Sequence, residues 1–107
     1  MSKCRITVLK RVLNQELARE YSGRDIPPCK VFEVGQEFIA GPFGKPEGFC
    51  DWAWDDIYKT VLALSRGGDF STGVFDNWMK DNKTMLVCCS DGIRPVVFKV
   101  ERIDEEQ

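Results

Sequence analysis

The chain has 107 residues, 43% hydrophobic and 30% charged, with a net charge of −2 and a pI of about 5.2. That size and balance predict one globular domain spanning 1–107, able to bury a modest core without metals or disulfides. They exclude a general basic footprint for nucleic acid, and the absence of histidine removes the commonest acid/base, the commonest metal ligand and any histidine-activated nucleophile.

The first element alternates. Cys4, Ile6 and Val8 share one side and Arg5, Thr7 and Leu9 the other, which predicts a strand within 3–12 with one face in the core. Asn14 is placed to cap a short helix running to Tyr21, with Glu16 in its first turn. Ser22-Gly23-Arg24-Asp25 ends that helix and Pro27-Pro28 forces an extended path. Cys29–Glu33 reads as a brief helical turn or strand, and Glu37–Ala40 as a strand after a turn at Gly35-Gln36.

A Gly- and Pro-rich loop over 41–48 leads into Cys50-Asp51-Trp52-Ala53-Trp54-Asp55-Asp56. Asp51 is a suitable N-cap, because its carboxylate can accept from the free N–H groups of a first helical turn. Asp55 and Asp56 add negative charge at the positive end of the dipole. Trp54, Ile57, Val61 and Leu64 then recur at helical spacing, widened by Tyr58 and Leu62, and Gly67-Gly68 supplies a stop after Arg66. The predicted helix covers about 51–66.

Residues 69–82 show no clean period, with a short turn expected around Phe75–Met79. Thr84–Ser90, TMLVCCS, is apolar on both faces and reads as a central, buried strand. Asp91-Gly92 is a turn signal, and the last strand follows Pro95 from Val96 to Ile103. The basic start (Lys3, Arg5, Lys10, Arg11) and acidic end (Glu101, Asp104, Glu105, Glu106) are expected to complement each other across neighbouring terminal strands. Together these elements predict an α+β domain: one mainly antiparallel sheet of four or five strands, flat or curled, with one long amphipathic helix (about 51–66) and one short helix (about 14–21).

Four blocks carry a resemblance: CRITVLKR (4–11), VGQEF (34–38), PEGFCDWAWDDIYKTVLALSRGGDF (46–70) and CCSDGIRPVVFKVERI (88–103). Together they resemble a family of small bacterial and archaeal proteins of about this length with no established activity. The resemblance implies a free-standing single domain and assigns no catalytic residue.

Two groups of residues bear chemistry. Cys50 precedes a helix N-terminus, where dipole and free N–H groups favour a thiolate or a bound anion, although Asp51, Asp55 and Asp56 oppose a thiolate by like charge. Trp52 is not required by the helical stripe. Lys45, Arg66 and Arg94 are the cations that could offset the carboxylates. The second group is Cys88, Cys89, Asp91 and Arg94, at a strand end expected beside the helix start; Arg94 could grip a carboxylate or phosphate through its guanidinium fork.

Cys50, Trp52, Cys88, Cys89, Asp91 and Arg94 are therefore the candidate ligand-binding residues. Each also has a plain structural reading, as packing, turn or cap. The five cysteines form no CxxC and are odd in number, so no disulfide framework is expected. Cys50, Cys88 and Cys89 are the metal candidates, but adjacent strand residues face opposite ways.

The reading is a non-catalytic small-ligand-binding or accessory domain with a pocket near the start of the 51–66 helix. The alternative is a cysteine-based redox or metal-binding protein using Cys50 with Cys88 or Cys89. No specific motif implies a cofactor, and none marks an enzyme. Expected partners are a small molecule or another protein, with a homo-oligomer as a further option because small sheets leave edges unpaired. No run approaches the roughly 20 apolar residues of a membrane helix, and the N-terminus lacks a signal-peptide pattern, so a cytoplasmic protein is expected.

Overall fold

The computed structural model describes residues 2–41, 43–68 and 70–103. In chain order they form β1 (Lys3–Arg11), α1 (Gln15–Tyr21), β2 (Glu37–Ala40), α2 (Asp51–Ser65), a single 3-10 turn at Gly73–Phe75, β3 (Thr84–Cys88) and β4 (Val96–Ile103). The strands make one open, fully antiparallel sheet in the order β2-β1-β4-β3. This is the expected α+β domain, with four strands. Among the described residues no helix is long and apolar enough to cross a membrane.

The alternation read in β1 is the basis of the core. Cys4, Ile6 and Val8 are buried, and the register sets Ile6 opposite Val100 and Val8 opposite Phe98. Val96, Phe98 and Val100 of β4 continue the same face, and α2 covers it with Ala53, Ile57, Thr60, Val61 and Leu64. Phe98 is the hub of an aromatic cluster, with Phe32 at 5.1 Å and Phe49 at 5.5 Å between ring centroids. Phe38, Trp54 and Tyr58 extend the cluster to the β2 edge and along α2. Phe32 comes from neither helix nor strand: Cys29–Glu33 is irregular, and Arg11 holds it by donating from Nη1 to the Cys29 carbonyl at 3.1 Å.

Among the described residues no helix covers the other face of the sheet. There Arg5 pairs with Glu101 at 3.1 Å, and Lys99 approaches the same carboxylate at 3.6 Å. The charge complement expected between the terminal strands is present in these residues; 104–106 lie outside the described residues.

Three details differ from the sequence reading. The N-cap of α2 is Cys50, which makes no side-chain capping bond, and Asp51 is the first helical residue, paired with Lys45 at 2.6 Å. The lysine draws that carboxylate out of the cap. Asn14 does precede α1, but its side chain makes no cap bond and instead donates to the Gly92 carbonyl at 2.7 Å. Thr84–Cys88 is an edge strand, not a central one, because β4 inserts between it and β1.

The end of α2 is built as the Gly-Gly pair predicts. Gly67 takes φ +88°, and the Gly67 and Gly68 N–H groups donate back to Leu64 and Ala63 at 3.0 and 2.9 Å. A Cβ on Gly68 would lie 2.8 Å from the Ala63 carbonyl oxygen, so both glycines are required. Arg102 of β4 completes this terminus by donating from Nη1 to the carbonyls of Leu64 (3.2 Å) and Gly68 (2.9 Å).

Beside this terminus Cys4 is fully buried, its Sγ 3.7 Å from the Val61 carbonyl. Burial raises its thiol pKa from 9.0 to about 11, and the Arg102 charge offsets part of the rise. The unfolded thiol therefore ionises first. The stability it contributes is complete below pH 9.0 and is lost as pH rises to about 11. Chemical denaturation of the wild type should show an alkaline loss on the order of 2 kcal/mol over that window. Cys4→Ala should lose less over the same window, whatever its own baseline stability.

Candidate functional site

The start of α2 and the β3–β4 turn meet, as expected. The Asp56 carboxylate on the second turn of α2 accepts from the Ser90 N–H at 2.7 Å. Within that junction each candidate residue has a definite environment. Cys50 is half-buried against the core cluster. Lys45 bridges the residues on either side of it, donating to the Phe49 carbonyl at 2.8 Å while pairing with Asp51.

Arg66 caps the opposite end of the helix, about 22 Å of helix rise away, and so cannot offset charge at Cys50. Trp52 projects from the first turn and remains 65% exposed, so it covers no neighbouring loop. Trp54, by contrast, packs edge-on against Phe49.

Cys88 and Cys89 part company, as strand alternation requires. Cys88 is exposed, whereas Cys89 is buried and its sulfur accepts from the Val96 N–H at 3.2 Å. Asp91 folds onto its own turn. One oxygen accepts from the Ile93 and Arg94 N–H groups at 2.9 and 3.1 Å, and the other lies 3.8 Å from Arg94 Nε. This is the aspartate-turn geometry that the Asp-Gly pair favours. Cys50 and Cys89 thus face the core, Cys88 the opposite side of the sheet, and Asp91 and Arg94 each other. Among the described residues no three Cys, Asp or Glu side chains converge as a metal-ligand set.

A cleft of about 450 Å³ lies elsewhere, between α1 and the loop behind it, lined by Leu13, Gln15, Ala18, Arg19, Arg24, Asp25 and Ile26. Helix α1 has no buried residue. It is anchored at its start through Asn14 to the β3–β4 turn, by the side-chain bond to Gly92 and by the Asn14 N–H to the Ile93 carbonyl at 2.8 Å. At its end the Ser22 N–H returns to the Ala18 carbonyl, and the chain folds back past Pro27-Pro28.

That fold-back brings Arg24 to the same cleft as Arg19. Neither guanidinium makes an ion pair or hydrogen bond with another described residue. The sequence reading passed over both. The available signal was a helix, QELAREY, with little apolar surface of its own, followed directly by an arginine-bearing turn and two prolines.

No protein-family model, no curated protein and no solved structure matches the chain, so the functional reading rests on these residues and their geometry.

Proposed function

We propose that the protein is a small binding domain that holds a compact, partly apolar anion between α1 and the Ser22–Pro28 loop. The observation that carries this reading is the pair of guanidinium groups, Arg19 and Arg24, lining one cleft without an ion pair or hydrogen bond to another described residue. Leu13, Ala18 and Ile26 supply apolar wall, and Asp25 an acceptor, so the fitting ligand combines an anionic head, a hydrocarbon part and a hydroxyl or ammonium donor. Arginine suits binding rather than acid/base work, because it stays protonated across the working pH range and offers a fork that matches carboxylate and phosphate.

Isothermal titration with a panel of hydroxy acids, amino acids and inorganic phosphate tests it. At least one member should bind, and the Arg19→Ala/Arg24→Ala double variant should bind it at least about tenfold more weakly, which is the loss of one charge-assisted contact. A second location is favoured by one observation, the exposed Trp52 at the start of α2. Binding that survives the double arginine variant but is lost in Trp52→Phe or Cys50→Ser would move the site there. No binding by any member would remove the reading.

A further inference from the structure

The cleft beside α1 is built from one stretch of chain. Its lining residues all fall within 13–26, with α1 and the residue before it on one side and the returning Arg24-Asp25-Ile26 on the other. None of residues 9–28 belongs to the core cluster. The stretch is an excursion from the packed domain, and the cleft exists only while that excursion is folded.

The excursion is pinned at its feet. The Val12 and Asn14 N–H groups donate to the Pro95 and Ile93 carbonyls, each at 2.8 Å, and Asn14 Nδ2 donates to the Gly92 carbonyl at 2.7 Å. Arg11 Nη1 holds the returning foot at the Cys29 carbonyl, 3.1 Å away. Between the feet, residues 15–28 make no hydrogen bond or ion pair with any described residue outside 14–28.

Helix α1 has little else to hold it. Its seven residues fall well short of the roughly 12–15 at which an isolated helix becomes marginal. It buries no side chain and lacks a side-chain bond at its N-cap. Good helix formers favour it, as do Glu16 in the first turn and Arg19 in the last. Glu16 and Glu20, one turn apart at i and i+4, repel each other.

We propose that the ordering of α1 and the occupation of the cleft are one equilibrium. In the free chain α1 and its return fray while the sheet and α2 stay folded, and an anion bridging Arg19 and Arg24 closes them. This coupling rests on the anion-binding reading of the cleft. Its physical basis is linkage. Opening the excursion removes every wall of the cleft, so the ligand binds the ordered form alone and draws the equilibrium toward it. The apparent affinity then scales with the ordered fraction. Opening exposes no core side chain, so it is local and leaves the rest of the domain intact.

Amide exchange of the full chain tests this, with free leucine, lactate and inorganic phosphate as probes, one from each class of the anion panel. Without a probe, the amides from Ala18 to Ser22 should exchange within about tenfold of unfolded rates, while those of Ile6 and Val100 in the central strands stay protected. With a bound probe at about ten times its Kd, they should slow at least about fivefold. Leu17→Gly changes an exposed residue of α1 outside the cleft lining. It should weaken binding roughly threefold, because the glycine penalty takes a half-ordered helix to about one-sixth ordered. Leu17→Ala removes the same side chain but keeps the helix propensity, and should bind as the wild type does. Thermal unfolding of the sheet should be the same in all three chains.

Alpha1 amides as protected in the free chain as those of β4 overturn the proposal. A probe that binds without slowing those amides also overturns it, as does equal binding by the wild type and Leu17→Gly; the anion reading survives both results. If none of the three probes binds, the anion reading and the coupling fall together.

Discussion

Phe98→Ala should be the most damaging single substitution in the core, costing about 4 kcal/mol and lowering the Tm by on the order of 20 °C for a domain of this size. The ring is fully buried on β4, the strand that joins the two halves of the sheet, and it touches Phe32 and Phe49 at once. Both of those side chains come from irregular segments, Phe32 from the chain before β2 and Phe49 from the loop before α2. Removing the ring therefore opens a cavity and also loosens two loops that have no ladder of their own. Phe98→Leu fills most of the space and should cost roughly 1 kcal/mol. Thermal and urea unfolding followed by circular dichroism measures both. If alanine and leucine cost the same, the aromatic cluster does not staple the loops.

Arg102→Met should cost about 3 kcal/mol, from two charge-assisted hydrogen bonds and a favourable charge at a helix C-terminus. Methionine keeps the aliphatic bulk of the side chain, so the loss reports on the guanidinium. Its Nη1 serves the Leu64 and Gly68 carbonyls at the C-terminal end of α2, the negative end of the helix dipole. The substitution carries a second signature. Arg102 lowers the pKa of Cys4 against the larger effect of burial, so its removal should leave the onset of the alkaline loss in place and move its upper end to higher pH, deepening the loss. A variant that loses stability without extending that loss would separate the two roles.

Where the sequence read true, the determinants were local. The β1 alternation and the Ile57-Val61-Leu64 spacing each require only the pleat of a strand or the pitch of a helix. The opposition of Cys88 and Cys89 follows from the same pleat. What was not legible depends on partners distant in sequence. TMLVC is apolar on both faces whether a neighbour exists or not, so its pattern could not say that β4 occupies one flank only. Phe32 sits in a stretch without a period, and only the pocket between Phe38, Phe49 and Phe98 makes it a core residue. Asp51 lost the cap to Cys50 because Lys45, six residues earlier, claims its carboxylate. Arg19 and Arg24 share a cleft because the chain folds back after Ser22, and neither helix periodicity nor a turn signal says which side chains such a fold-back brings together.

The central pair of the sheet, β1 with β4, also sets the order in which the fold can be made. Residues 3–11 emerge from synthesis long before 96–103, yet their longest ladder is with that late segment. Until it arrives, β1 has only the four-residue β2 beside it, and Ile6 and Val8 lack Val100 and Phe98 opposite them. Closing so long a loop must precede most of the core contacts. Vectorial, element-by-element folding is therefore barred: the chain condenses cooperatively once β4 is available, and shortened chains ending before Val96 should be substrates for chaperones and proteases rather than partly folded domains.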